Sequence, residues 1–519
     1  MKSNSINRRL DVLFVEPDSS AEAYQSLSKT YSAIETPTWS LLLAESCRSK
    51  GFGVAILDCN AERLTDTQAI QRLHEADPRL VCFVLYGQNP NSGTTSMIGG
   101  TRLCARLKQA YPQYTTCFVG PHVSALPKEV LSYPFIDIVL LNEGVYALHD
   151  LLGSDLKDDL RKIKGIGYKR DKNIILNPPR QVVDENKMDY DLPGYAWDLL
   201  PYHKKPFDLY RSHLWHADYN HEQRTPFAAL YTSWGCPFQC DFCMINIINR
   251  IDNSNGVTAA DSSHIRCWSP DFVLRELDKL VKMGVQTIRI SDEMFFLHPK
   301  HFEPLLKGLI KRDYDLRLWS YARVDTITSK YLKLFRQAGI KWLAIGFESG
   351  NQSIRKKISK GRFDEIDMKK IVKDIDDEGI NVAANYIFGF PDDNFATMQQ
   401  TLDLACELNT PFANFYTCMA LPGSPLYFKA LKQGWKLPDS YEGYAFLSYE
   451  SLPLPTNYLS AVEVLKFRDE AWQKYHKRKE YLSLIEKRFG VEPKKNIEEL
   501  IKVKIKRKIL GNETQISEA

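Results

Sequence analysis

Three cysteines stand within eight positions in the stretch GCPFQCDFC, as Cys236, Cys240 and Cys243. Thiolates in a CxxxCxxC spacing are metal ligands first. A structural zinc site takes four ligands, usually as two pairs, and no second CxxC lies nearby; Cys267 is some distance on. Three thiolates suit a cubane iron–sulfur cluster that leaves one iron open to a small-molecule ligand. Three merely structural cysteines would have to fall into this spacing by chance at the edge of a strand.

That edge is set by the elements around it. From about residue 226 to 425 the sequence alternates six apolar strand candidates with amphipathic stretches: FAALYTS, VQTIRIS, LRLWSYA, IKWLAIGF, NVAANYIFGF and FANFYTCM. One intervening helix is well marked, with Ser269 and Pro270 at its start, Val273, Leu277, Leu280 and Val281 at helical spacing, and Gly284 at its end. Six β/α units predict an incomplete barrel of the TIM type, with its chemistry at the carboxyl ends of the strands. The cysteines follow the first of those strands.

Residues 1–155 show a second parallel-sheet rhythm, with strands DVLFVEP, GVAILD, LVCFVLYG, TTCFVG and IDIVLLNEG. A helix is expected over SLLLAESCRSKG, with Thr38 or Ser40 as its cap and Gly51 as its stop. The fold class is α/β, and this part predicts a doubly wound, flavodoxin-like (Rossmann-like) domain whose ligand sits outside the strand ends. Gly87 and Gln88, Gly120 and His122, and Glu143 and Gly144 gather at those ends. Residues 156–225 read as a packed linker with a small hairpin in GIGYKRDKNIILNPPRQ, residues 226–430 as the barrel, and residues 431–519 as a helical region. The basic run IKVKIKRKIL near the end reads as a solvated helix face.

With the elements in place, CPFQCDFC resembles the signature of radical S-adenosylmethionine (SAM) enzymes, with Phe242 as the aromatic before the last cysteine. The resemblance continues strand by strand: SDEMFF with Asp292 and Glu293, YARVD with Arg323, GFESG with Glu348 and Ser349, IFGFP with Gly389, then LPGSPLY. It implies a 4Fe-4S cluster on the three cysteines, SAM on its open iron, and these residues around SAM.

The N-terminal part is similar to the cobalamin-binding domain that precedes this barrel in one radical SAM class. The similarity is carried by PTWSLLLAESCRSKGFGVAILD, GQNPNSGTTS, VGPHVSALP and LNEGVYAL. It implies cobalamin contacts from Gly87, Gln88, Ser92, Gly120, Pro121, His122, Ser124, Glu143 and Gly144. The DxHxxG motif that supplies a histidine to cobalt in other cobalamin proteins does not occur, so His122 is not assigned to the metal. The resemblance implies a C-methyltransferase: a 5′-deoxyadenosyl radical takes hydrogen from an unactivated carbon, and methylcobalamin returns a methyl group. The alternative keeps both cofactors for a cyclisation, rearrangement or epimerisation, and a non-catalytic iron–sulfur or cobalamin sensor is the reading from another class.

Composition bounds the rest. The chain has 519 residues, 44% of them apolar, and a net charge of only +4, which gives no ground for a nucleic-acid partner. No apolar run approaches the roughly 18 residues that would span a bilayer, and eleven scattered cysteines suit reduced thiols in the cytoplasm. Cys47, Cys59, Cys82, Cys104 and Cys117 are expected to be buried small hydrophobes. The expected partners are a small-molecule substrate and an electron donor such as flavodoxin or ferredoxin, with no membrane. LYRSHLWHADYNHEQR, with Trp215, His216, Asp218 and His221, either lines the active space or packs as linker; Tyr416, Cys418 and Met419 could face substrate but are more often core.

Overall fold

The computed structural model describes residues 10–156, 160–203, 209–247, 264–358 and 366–512. Five parallel strands build the first sheet: β1 Val12–Glu16, β2 Val54–Asp58, β3 Leu80–Val84, β4 Thr115–Val119 and β5 Ile138–Leu140, in the order β2-β1-β3-β4-β5. All five residues of β3 are buried, as expected where helices cover both faces of a parallel sheet. Cys47, Cys59, Cys82, Cys104 and Cys117 are buried thiols of this domain. The hairpin expected in the linker forms as β6 Ile166–Arg170 and β7 Asn173–Leu176, and it pairs antiparallel with β5 as the sheet's last two strands. The first helix after β1 that packs on the sheet, Thr38–Ser49, runs as expected into Gly51 at φ 89°, a left-handed turn suited to glycine. Its cap differs from expectation: Thr38 is already helical and Ser40 donates to Glu16 Oε1 at 2.5 Å, so neither hydroxyl closes the helix start.

The second sheet begins with β8 Phe227–Leu230. A short antiparallel pair follows, β9 Ser233–Trp234 with β10 Arg266–Cys267. The remaining strands are β11 Thr287–Ile290, β12 Arg317–Arg323, β13 Ile340–Glu348, β14 Asn381–Phe388 and β15 Phe412–Thr417. Six strands lie parallel in the order β15-β14-β13-β12-β11-β8, a partial barrel with two open edges. Between β10 and β11, helix Pro270–Lys282 starts on a side-chain cap, Ser269 Oγ accepting from Phe272 N at 3.2 Å. It buries Val273, Leu277 and Leu280 against the sheet, each worth roughly 1.5–3 kcal/mol of transfer free energy.

Open strand edges must be satisfied. Thr36 does this for β8: its hydroxyl donates to Ala229 O at 3.1 Å and accepts from Ala229 N at 2.9 Å, while Tyr202 donates to Phe227 O at 3.0 Å. At the other edge, helix Ala461–His476 lies along β15, and its Arg468 Nε donates to Phe415 O at 2.6 Å. The barrel is thus closed on one side by the N-terminal domain and linker, and on the other by the C-terminal helices. Among the described residues no helix is long and apolar enough to cross a membrane.

Segment 209–224 plugs the amino ends of the barrel strands. Trp215 packs on Trp319 at the start of β12 (4.9 Å between centroids), Trp342 at the start of β13 (5.1 Å) and Phe412 at the start of β15 (5.8 Å). Asp218 accepts from Trp342 Nε1 at 2.9 Å, and buried His216 pairs with Arg317 O at 3.1 Å. Both readings of WHAD hold in part: the segment packs as a floor beneath the barrel, at the end opposite the cysteines, and Trp215 also lines the cavity above it, whereas His216 and Asp218 do not. The basic run also departs from expectation. The last long helix, Val491–Lys502, ends inside it, the chain then continues extended, and Arg507 is fully buried, so the run is no solvated helix face.

Candidate active site

Two loops from the two domains meet. After β3, the chain turns through Gly87 (φ 66°) into the loop that carries Gln88 to Ser92, and after β8 it enters the cysteine loop. Asn91 joins them: its Oδ1 accepts from Met244 N at 3.0 Å and its Nδ2 points at Cys243 Sγ from 3.6 Å. The carboxyl edges of both sheets therefore open on one space, a cavity of about 1570 Å³. That exceeds the roughly 300–1,000 Å³ that a single small ligand occupies.

Within the cysteine loop, Cys236 is buried and Cys240 and Cys243 are half-buried. Burial pushes the Cys236 thiol up, with Cys243 and then Cys240 adding to it, and burial likewise raises Cys243. The loop is pinned on its far side, Asp241 N donating to Ile358 O at 3.2 Å and Leu426 N to Asp241 O at 2.9 Å. Phe242 packs on Phe390 with centroids 5.7 Å apart. Among the described residues no three His, Cys, Asp or Glu side chains converge as ligands of one ion. The donor set is instead three thiols spread along one loop, the arrangement that fits a cluster with several irons.

Past the end of β11, as the chain enters a turn at Glu293, neighbouring carboxylates part company. Asp292 turns back into the protein: Thr232 N and Thr232 Oγ1 each donate to it at 2.6 Å, and Ser233 Oγ at 2.5 Å. Burial raises its carboxyl to about 6 against those hydrogen bonds. Glu293 faces the cavity, and neither of its buried oxygens meets a hydrogen-bond donor among the described residues. Burial, with Asp292 adding, raises it to about 8.

Arg323, at the end of β12, lines the cavity, gripped by Asp325 through two bonds of 2.8 and 2.7 Å and lying 3.7 Å above the Phe238 ring. Glu348, at the end of β13, also lines it, in the left-handed region at φ 61° beside a register break in the β13–β14 pairing. Gly346 allows this turn, since a Cβ there would stand 2.3 Å from Glu348 Oε1. Burial raises Glu348 to about 7, with Arg323 opposing. Ser349 is buried away from the cavity, where its Oγ meets Thr401 Oγ1 at 3.3 Å and accepts from Asn351 N at 3.1 Å. Gly389 makes the turn after β14 at φ 84°, its N–H on Asp393 at 3.0 Å.

On the N-terminal sheet, Gln88 and Ser92 line the cavity. Gly120, Pro121 and Ser124 lie behind them; a Cβ on Gly120 would stand 2.5 Å from Leu85 O, and Ser124 Oγ donates to Asn142 O at 3.5 Å. His122 is buried with both ring nitrogens engaged, Nδ1 with Thr94 Oγ1 at 3.1 Å and Nε2 with Glu129 Oε1 at 3.4 Å. Gly144 turns at φ 78° into helix Val145–Gly153. Glu143 is buried and ties the domains, pairing with Arg266 of β10 at 2.8 Å and accepting from Val183 N.

Sequence reasoning missed several cavity residues. Asn385 and Asn414 face each other across β14 and β15, with Asn414 Nδ2 donating to Asn385 Oδ1 at 3.0 Å. Their signal was present, since an asparagine in the middle of an otherwise apolar strand calls for a polar partner. Tyr416, Cys418 and Met419, named from the sequence as able to face substrate though more often core, do line the cavity. Beside it, Glu35 forms a buried ion pair with Arg289 of β11, which donates to Tyr321 OH at 3.1 Å.

The sequence matches the family description "Radical SAM superfamily" over residues 230–405 and "B12 binding domain" over residues 27–152. An uncharacterized methyltransferase of Pyrococcus horikoshii is 26% identical over 397 residues, covering 75% of this chain and 78% of that protein. An anaerobic magnesium-protoporphyrin IX monomethyl ester cyclase of Rubrivivax gelatinosus is 25% identical over 450 residues, covering 84% and 72%. The radical SAM methyltransferase TsrM from Kitasatospora setae, solved with cobalamin and a 4Fe-4S cluster, shares the fold at a TM-score of 0.61 and 17% identity, over 87% of this chain and 84% of that one. OxsB, a cobalamin-dependent SAM radical enzyme solved with aqua-cobalamin, does so at 0.62 and 16%, over 89% and 66%. A B12-binding sheet and a radical SAM barrel that open on one cavity place this chain among the cobalamin-dependent radical SAM enzymes.

Proposed function

We propose that the protein is a C-methyltransferase that acts on an unactivated carbon of a small-molecule substrate. The observation that carries this reading is the junction of Asn91 with the cysteine loop, which puts the ligand edges of both domains on one cavity. When bound, the cluster and SAM supply the radical that removes a hydrogen, and cobalamin supplies the methyl group that replaces it.

The residues present suit all three groups. Cys236, Cys240 and Cys243 would hold the cluster, with Phe242 and Phe390 packing beneath the loop. The orphaned carboxylate of Glu293 and that of Glu348 suit the ammonium and ribose hydroxyls of SAM, and Arg323, fixed by Asp325, offers a cation to its carboxylate. Asp292, Ser349 and Gly389 shape the strand ends that carry them. Gln88 and Ser92 would face cobalamin, with Gly87, Gly120, Pro121, Ser124, Glu143 and Gly144 forming the backbone and packing behind. His122, held by Thr94 and Glu129, has no nitrogen left for cobalt. The Trp215 floor keeps water from the reacting space. Electrons would come from a small protein such as flavodoxin or ferredoxin in the cytoplasm.

Product accounting tests the reading. Turnover with the true substrate is expected to give 5′-deoxyadenosine and S-adenosylhomocysteine in about equal amounts, with labelled SAM methyl on a product carbon. Deoxyadenosine without S-adenosylhomocysteine would favour the second reading, a cyclisation without methyl transfer, which the similarity to the Rubrivivax cyclase supports.

A further inference from the structure

The cavity is polarised. Its cluster end carries Glu293 and Glu348, with Arg323 beside them already gripped by Asp325. Its opposite wall, made by the C-terminal region, carries Arg468, Lys477, Lys502, Lys504 and Lys506 against one carboxylate, Asp469. Asp469 is already taken by Arg468 at 2.8 Å and Arg507 at 3.0 Å, and Lys502 by Glu499 at 2.5 Å. Lys477, Lys504 and Lys506 have no carboxylate within ion-pair distance among the described residues, and Lys477 and Lys504 are exposed to solvent at the rim. Between the two charged ends the lining is mostly apolar, with Phe415, Phe446, Trp472 and Leu500, and its amides Asn385 and Asn414 are bonded to each other.

These lysines are not on a loose tail. Past helix Val491–Lys502 the chain is extended through Arg507. Arg507 is fully buried, with Nη1 donating to Phe446 O at 2.8 Å and Ser448 O at 3.0 Å as well as pairing with Asp469. From the N-terminal domain, Gln25 brackets Lys506, its Nε2 donating to Lys506 O at 3.0 Å and its Oε1 accepting from Lys506 N at 3.2 Å. Lys504 and Lys506 both line the cavity, and these anchors hold the backbone that carries them.

We infer that this wall selects an organic anion: the substrate is an amphiphile whose apolar body fills the aromatic middle of the cavity and whose phosphate or carboxylate end meets Lys477, Lys504 and Lys506. The inference deepens the methyltransferase reading and rests on it. An anion set the other way round would meet Glu293 and Glu348, which offer it no cation, and Arg323, which Asp325 already holds, so the lysine end sets the direction of the molecule as well as selecting it. The carbon that reacts then lies in the apolar part, toward the cluster.

The test uses the full chain loaded with cluster and cobalamin, without SAM, and two probes below their micelle concentrations, decyl phosphate and decanol, titrated by tryptophan fluorescence and calorimetry. Decyl phosphate is expected to bind at least about tenfold more tightly than decanol. In a K477Q/K504Q/K506Q variant that preference is lost while decanol binding stays, and 0.5 M salt weakens the phosphate arm alone. Equal binding of the two probes by the unmodified protein, or an unchanged preference in the variant, overturns the inference. A third arm compares hydroxocobalamin with cobinamide, which lacks the nucleotide loop and its phosphate. Loss of hydroxocobalamin affinity with cobinamide unaffected would assign the lysines to the cofactor and overturn the substrate assignment too. Since SAM is absent, failure here is separate from failure of the methyl-transfer reading.

Discussion

Glu35 and Arg289 make the strongest prediction about what holds the two domains in register. Arg289 is fully buried on β11, with its guanidinium 4.9 Å from the Trp319 ring and 5.0 Å from the Tyr321 ring, and Glu35 is only 7% exposed. Burial pushes the Glu35 carboxyl up, but Arg289 and His213 outweigh it, so the group lies below its ordinary value. Glu35→Gln leaves a buried guanidinium without its counter-charge, a loss of roughly 3–5 kcal/mol. At about 2–4 °C per kcal/mol for domains of this size, the unfolding midpoint should fall by about 6–20 °C. Differential scanning calorimetry of the full chain measures this, with Lys373→Ala, which removes an exposed helix pair to Asp377, as a control expected to show no shift. The combined Glu35→Met and Arg289→Leu variant should recover most of the loss, because neither charge is then buried. A depressed carboxyl contributes stability above its unfolded value near 4, lost as pH falls through the lower folded value, and Glu35→Gln should flatten the profile in that acid window. A midpoint drop under about 2 °C for Glu35→Gln would refute the reasoning.

Anaerobic reconstitution should load about four irons and four sulfides per chain, and alanine at Cys236, Cys240 and Cys243 should abolish this; stoichiometric zinc without iron–sulfur absorbance would count against the cluster. Asn91→Ala should leave the iron content intact but lower the cluster's reduction potential, because a donor beside Cys243 Sγ favours the more negatively charged reduced state; an unchanged potential in an electron-paramagnetic-resonance titration would say that this contact is idle. Gly120→Val drives side-chain atoms into Leu85 O and should weaken hydroxocobalamin binding, whereas His122→Ala should leave the bound cofactor's spectrum that of cobalamin without a histidine on cobalt. A histidine-ligated spectrum lost in His122→Ala would contradict the placement of that ring.

The strands and the cysteine loop were legible because they are local patterns: unbroken apolar runs such as LVCFV, and ligand types in a fixed spacing. Which side chain of a motif faces the cavity was not. SDE names two adjacent carboxylates, and only the tertiary structure, with Thr232 and Ser233 as donors to Asp292 and a turn at Glu293, sets Asp292 inward and Glu293 toward the cavity. The floor under the barrel was hidden for a related reason. Trp215 is an ordinary aromatic in a linker until Trp319, Trp342 and Phe412, each from a different strand, close around it. The run IKVKIKRKIL looked solvated from its charges, and its anchor, the pairing of Arg507 with Asp469 38 residues earlier, is invisible to periodicity.

One measurement addresses the central claim without the natural substrate. The holoprotein, with its cobalamin reduced, is given SAM carrying an isotopic label in its methyl group under anaerobic single-turnover conditions, and the cofactor and SAM products are then separated. If the shared cavity serves methyl transfer, the label moves to cobalamin and S-adenosylhomocysteine appears at about one per labelled cofactor. SAM cleaved to 5′-deoxyadenosine, with no label on cobalamin and no S-adenosylhomocysteine, would contradict it.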